Sequence, residues 1–285
     1  MKFLITGAKG QLAAEIIRTL KVRAAEFIAP EKSVLDITDA AKVSEVIGGY
    51  KPDVVINCAA YNAVDAAEED WRKAFAINGA GVRNLANASQ KAGAVLVHFG
   101  TDFVFDGTKT SPYTIIDRPN PLGKYGESKL LGEMYVRDLM QRFFLIRLSW
   151  VFGSGEFSFP TKVLQWSSKN RKLRIVDDQT ASPSYTGHLA KAVMDLIAAE
   201  AFGLYHMTNS GHCSRYEWAR FILEKSGWDG ELEPAKSMEF DTPAKRPPFS
   251  VLENFPLKET IGYELPSWQE ATEEFLSKKN VSSEK

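Results

Sequence analysis

The chain has 285 residues, a formal net charge of −1, 44% hydrophobic and 25% charged residues. That length admits one large domain or two modest ones with a sizeable core. The near-zero charge, with no basic stripe and no polybasic segment, argues against nucleic acid or a membrane surface as partner, and no apolar run is long enough to span a bilayer.

In chain order, short apolar runs alternate with longer amphipathic ones. "KFLIT" predicts a strand, residues 11–20 a helix and "AEFIAP" a weak second strand. Residues 39–50 have helical spacing, with Thr38 as N-cap. "PDVVINCAA" is a buried strand, residues 71–92 a helix and "AVLVHFGT" another strand. Residues 124–141 form a helix and "FFLIRLSW" a strand. The alternation means βαβ units and a parallel sheet, and the continuous apolar strands mean that both sheet faces are covered.

After about residue 150 the pattern changes. "VFGSGEFSFP" reads as a loop, residues 161–168 as a helix, "LRIVDD" as a strand, residues 185–199 as a helix and "GLYHM" as a late strand. "DTPAKRPPFSVLENFP" is the longest irregular piece, and the tail "SKKNVSSEK" is expected to fray. The chain enters structure at "MKFLITGAKG" without the pattern of a signal peptide. Cys58 and Cys213 make no disulfide framework, and Cys58 reads as a small buried hydrophobe. A cytoplasmic location is the expectation.

Gly7 and Gly10 follow the first strand directly, and a helix opens at Gln11. One glycine bends the backbone; the next lets it approach a pyrophosphate seated on the helix N-terminus. Ala13 is small where a third glycine often stands. The turn opens a βαβ series, which points to a dinucleotide site. The fold class is therefore α/β, a Rossmann-like doubly wound parallel sheet with a smaller, partly interleaved C-terminal lobe. Residues 1–152, with contributions from about 172–206, form the dinucleotide-binding unit; residues 153–171 and 207–285 form the substrate-binding lobe. Where an acid often grips the adenosine ribose, Glu31 favours NAD and Lys32 favours the 2′-phosphate of NADP. NADPH and NADH both stay open. Asp36 reads on its own as a turn residue before the next helix.

The strand ending in Thr101 and Asp102 delivers both to the sheet edge where ligands sit. About 24 residues later "KYGESKLLGE" carries Tyr125 and Lys129, four apart and so on one helix face. With nine tyrosines in the chain, one such pair is near chance; its position gives it meaning. Ketone reduction needs a hydride on carbon and a proton on oxygen. A nearby lysine lowers the pKa of a phenol and has donors left for ribose hydroxyls, and a threonine hydroxyl orients the carbonyl.

The glycine turn, "NCAAYNAVDAAE", "GTDFVFDG", "YGESK", "RLSWVFG", "IVDDQTASPSYT", "GLYHMTNSGHCSRYEWA" and "TPAKRPPFSVLEN" run through nearly the whole chain. Together they resemble the extended short-chain dehydrogenase/reductases and, more closely, the dTDP-4-dehydrorhamnose reductase family. The resemblance implies Gly10, Gln11 and Leu12 along the cofactor diphosphate, with Asp36 and Ile37 at the adenine. It implies Ala60, Tyr61, Asn62 and Phe99 beside the cofactor, and Thr101, Tyr125 and Lys129 as the catalytic set. Asp102 and Trp150 would face a nucleotide-linked sugar. Magnesium accompanies some members, but no residue cluster here calls for a metal. A homodimer is compatible with the resemblance.

Four positions depart from the family pattern: Gly100 for serine, Phe103 for tyrosine, Asn62 for threonine and Ser158 for asparagine. Phe103, Asn62 and Ser158 are expected to border the substrate. Lys245 and Arg246 are candidates for a substrate diphosphate; a solvated surface pair is equally compatible with the sequence. His98 reads as a core residue, and the run Glu68, Glu69, Asp70 as serving a helix N-terminus. His188, His206 and His212 lack metal-ligand spacing. A sugar 4,6-dehydratase would need a glutamate where Phe103 stands. A 4-epimerase stays open, as does a non-catalytic subunit of the kind that regulates methionine adenosyltransferase.

Overall fold

The computed structural model describes residues 1–155 and 158–283. Six strands form one parallel sheet: β1 (Lys2–Thr6), β2 (Glu26–Ile28), β3 (Val54–Asn57), β4 (Val95–Thr101), β5 (Phe143–Leu148) and β6 (Gly203–His206). Their spatial order is β6-β5-β4-β3-β1-β2, with every neighbouring pair parallel. The chain runs outward from β1 to β2 and then resumes on the other side at β3. That reversal opens a crevice beyond the C-terminal ends of β1 and β3.

Alternation along the strands feeds two cores, one on each face. Phe3, Ile5, Val54, Ile56, Val97, Phe144 and Ile146 meet α1 (Gln11–Val22) and a helix at Thr186–Ala199 on one face. Leu4, Val55 and Leu96 meet α2 (Ala40–Tyr50), α3 (Val82–Ala92) and α4 (Lys124–Leu139) on the other. Asp39, not Thr38, caps α2: its carboxylate accepts from the Lys42 N–H. Thr38 instead bonds back to Asp36, closing a turn before the helix.

The helix predicted over 71–92 is interrupted. Between Trp71–Phe75 and α3, residues Ala76–Gly81 wind as a π-helix. The wider turn carries Asn78, which is buried and reaches across to another segment. Such insertions often mark functional sites.

A third core lies beyond the strand ends. Phe152, Tyr185, Trp218, Trp268 and Phe275 fill it, between helices Phe159–Ser167, Arg215–Lys225 and Trp268–Ser283. Strand Lys172–Val176 pairs in parallel with Glu231–Ala235. Residues 277–283 of the tail continue the last helix, whereas 284–285 lie outside the described residues. So do residues 156–157 of the loop predicted at 151–160; its first two residues form a short strand pairing with Ser184–Tyr185. No described helix is long and apolar enough to cross a membrane.

Candidate active site

A cleft of about 1360 Å³ opens along the C-terminal ends of the strands, between the sheet and the third core. Drug-sized ligands fill roughly 300–1000 Å³, so there is room for more than one small molecule. Among the described residues, the charged ones lining it are Lys9, Lys129, Lys162, Arg174, Arg215 and Arg246, with Asp102 as the one carboxylate. Such a lining suits ligands that carry several phosphates.

At one end is the turn after β1. Gly7 has φ +66°, and a Cβ there would lie 2.6 Å from the Ala59 nitrogen, so only glycine lets β1 and the end of β3 come this close. Gly10 caps α1 with no side chain over the helix start, leaving its amides directed outward. The buried Gln11 Oε1 has no partner in the protein. The glycine turn and the open helix start fit a dinucleotide phosphate; the Gln11 oxygen, an acceptor, would suit a hydroxyl or amide donor. Gly10, Gln11, Leu12, Ala60, Asn62 and Phe99 all line the cleft.

Gly7, Asp36, Ile37 and Tyr61 do not. Gly7 is the turn beneath the cleft. Asp36 is engaged by Thr38, whose backbone N–H is the main cause holding its carboxyl below the ordinary range. Ile37 is buried, and its carbonyl accepts from Asn84. Tyr61 is gripped through its backbone: its N–H donates to Asn78 Oδ1 at 2.8 Å, and its carbonyl accepts from Asn78 Nδ2 at 3.0 Å. The same Nδ2 donates to Ser128 Oγ, which donates to the Tyr125 carbonyl. Asn78 thus ties the loop after β3 to the start of α4. Sequence reading missed it; the signal was an Asn-Gly inside an otherwise helical pattern.

Thr101 ends β4, and Tyr125 and Lys129 face the same cleft from α4. Glu68 accepts from the Lys124 N–H at 2.8 Å, so of the acidic run it is Glu68 that serves the start of this helix. Burial pushes the Tyr125 phenol up to about 12; the Thr101 hydroxyl opposes this and Asp102 adds to it. The expected lowering by Lys129 is not among these influences. Lys129 Nζ donates instead to the Phe99 carbonyl at 2.6 Å. Burial pulls its ammonium down to about 8, against Glu133 and Cys58.

Asp102 is buried and fully engaged. It accepts from Thr101 Oγ1 at 3.2 Å, Ser149 Oγ at 3.1 Å and Ser250 Oγ at 2.6 Å. It joins the ends of β4 and β5 to the C-terminal loop. Burial lifts its carboxyl to about 6 despite these donors.

Trp150 follows β5 at φ +40°, a left-handed conformation costly for so large a residue. Its carbonyl accepts from the Ser184 N–H, and its indole stacks on Trp218 with centroids 5.9 Å apart. The Arg215 guanidinium lies 3.6 Å from the centre of the Trp150 ring. Arg215 was not singled out from sequence; it follows a Ser-Arg N-cap junction that gives no such signal. Arg246 lines the cleft and pairs with Asp65 at 2.6 Å, while Lys245 lies outside it.

Phe103 and Asn62 line the cleft, as expected of substrate-bordering departures. Ser158 does not. It is buried at the start of Phe159–Ser167, bonded to Thr161 Oγ1 at 2.9 Å. His98 is buried with Nδ1 against Asn57 Nδ2 and Nε2 unpartnered. Among the described residues no group of three or more His, Cys, Asp or Glu is placed to hold a metal ion.

The family described as "RmlD substrate binding domain" matches residues 1–281. The spore coat polysaccharide biosynthesis protein SpsK of Bacillus subtilis is 40% identical, over 98% of this chain and 98% of its own. The dTDP-4-dehydrorhamnose reductase of Burkholderia thailandensis is 37% identical, over 95% of this chain and 96% of its own. The chain belongs to the dTDP-4-dehydrorhamnose reductase family. A solved dTDP-4-dehydrorhamnose reductase from Bacillus anthracis, in complex with NADP, has a TM-score of 0.94 to it. That protein is 34% identical, over 97% of this chain and 99% of the other. The fold described above is thus shared with that structure.

Proposed function

We propose that the chain reduces the C4 ketone of a nucleotide-linked 4-keto-6-deoxyhexose, dTDP-4-dehydro-L-rhamnose, to dTDP-L-rhamnose. The observation that carries this is the convergence of Thr101, Tyr125 and Lys129 on one cation-lined cleft beside the glycine turn. The work would be cytoplasmic, and light scattering would decide whether a pair of chains performs it.

Gly10, Gln11 and Leu12 would hold the diphosphate of NADPH or NADH, with Ala60, Asn62 and Phe99 beside the remainder. When bound there, the cofactor would supply the hydride for C4. Tyr125 gives its proton to the C4 oxygen. A phenol raised to about 12 stays protonated at neutral pH, and an alkoxide is a stronger base than a phenolate, so the transfer runs downhill. Thr101 orients the oxygen. Lys129 keeps two donors for ribose hydroxyls after its bond to Phe99. Arg215, stacked on Trp150, suits a substrate phosphate.

The test offers the keto-sugar with each cofactor, follows nicotinamide absorbance and identifies the sugar formed. One nicotinamide consumed per sugar supports a reductase; conversion without net consumption indicates an epimerase. Tyr125→Phe is expected to lose about 10²–10⁴-fold in kcat with cofactor affinity retained. Near-normal turnover in that variant would sink the mechanism.

A further inference from the structure

Lys129 and Glu133 are one turn apart on α4, so their side chains leave the same face. That face lies on the end of β4. Lys129 donates to the carbonyl of Phe99. Glu133 Oε1 fills the place that a Cβ would take at the next residue, Gly100, where a side chain would also press on Arg147 Cγ at 3.0 Å. From β5, Arg147 Nη2 donates to Glu133 Oε2 at 2.7 Å, and Nε lies 3.2 and 3.1 Å from the two carboxylate oxygens. Both side chains are 1% exposed. Arg147 Nη1 reaches His206 Nε2 at 3.5 Å, and its guanidinium lies 5.1 Å from the centre of the Phe105 ring. A buried ion pair is weak evidence for stability, so its placement behind the candidate catalytic lysine calls for another use.

We propose that Glu133 is a positioning residue: held by Arg147 in the space that Gly100 leaves, it keeps the Lys129 ammonium charged and seated on the Phe99 carbonyl. This rests on the reductase reading of the same site. Lys129 is 4% exposed. Desolvation works against its charge, and Glu133 is the largest influence opposing it. The groups on the other elements around Lys129 supply little negative charge. Burial keeps the Cys58 thiol, after β3, neutral up to about 12. His98 on β4 is held neutral by burial, with Lys129 adding to the effect. Tyr125, on α4 itself, is a neutral phenol. Asp102 acts on Tyr125 and Arg215, not on Lys129. Arg147 on β5 is cationic and spends its charge on Glu133. The departure at Gly100 thereby has a physical reason: it makes room for this carboxylate.

The test titrates Lys129 in the full chain by NMR with lysine labelled at Cε, the resonance being assigned by its loss in Lys129→Arg. Glu133→Gln is expected to lower the Lys129 midpoint by about one pH unit, and the basic limb of the kcat profile should move with it. Glu133→Gln leaves a buried guanidinium unpaired and threatens folding. The double variant Glu133→Gln/Arg147→Met removes that threat and, with the neighbouring cation also gone, is expected to show a smaller shift in the same direction. A purely structural role would be repaired by the double variant with no shift. A Lys129 midpoint unchanged in the double variant overturns the proposal. A Lys129 shift in the variants, together with a wild-type chain that reduces no keto-sugar, would refute the reductase reading and leave the positioning role standing.

Discussion

Replacing Asp102 by asparagine should remove a pH-dependent penalty on folding. The carboxyl is raised from 3.8 to about 6 in the folded chain, chiefly by burial. The unfolded chain therefore loses this proton first. Below about pH 4 both states hold it and the folded state bears no cost. As pH rises through the folded value the carboxylate must ionise in a buried site. A gap of about two pH units between the folded and unfolded values corresponds to about 3 kcal/mol, fully lost above about pH 7. Asparagine does not titrate, and it can present its oxygen to Ser149 and Ser250 and its NH₂ to Thr101. The stability of the wild type minus that of Asp102→Asn should fall by about 3 kcal/mol between about pH 4 and about pH 7. Urea unfolding at both pH values, with equal m-values for the two chains, measures it. A difference that stays constant within about 1 kcal/mol would refute the burial argument.

Asn78→Ala strips the partners from the Tyr61 N–H, the Tyr61 carbonyl and Ser128. We expect a loss of about 2 kcal/mol in denaturant unfolding, together with weaker cofactor binding in a fluorescence titration. Arg215→Met leaves the Trp150–Trp218 stack but removes the cation facing it. Steady-state kinetics should show KM for the nucleotide sugar raised about tenfold or more, with the cofactor Kd nearly unchanged; an equal effect on both ligands would contradict the assignment.

β1, β3, β4 and β5 were legible because each is a short apolar run buried along most of its length, β4 throughout, whereas β2 at the sheet edge is at most part-buried. The glycine turn was legible because its φ +66° and its contact with Ala59 leave no other residue possible. The π-helix was not, because one extra residue in a turn barely disturbs the spacing of its apolar neighbours. Asn78, Arg215 and Ser250 come from distant segments, and only the folded sheet brings them together. Spacing placed Tyr125 and Lys129 on one face but could not say where the ammonium points; the Phe99 carbonyl, thirty residues upstream, decides that. The cap moved from Thr38 to Asp39 because Asp36 had already engaged Thr38.

The core under the first face of the sheet is completed late in the chain. Leu189, Val193, Leu196, Tyr205, Leu257 and Leu265 all belong to it, and β6 pairs along the edge of β5. A nascent chain that has emerged only as far as residue 152 therefore carries a bare β5 edge and an uncovered row of Phe144, Ile146 and Leu148. Exposed edges and apolar rows of this kind recruit other chains. Synthesis must reach Leu265 before the core on this face of the sheet is complete. The cleft, whose lining runs from Lys9 to Arg246, is completed only then.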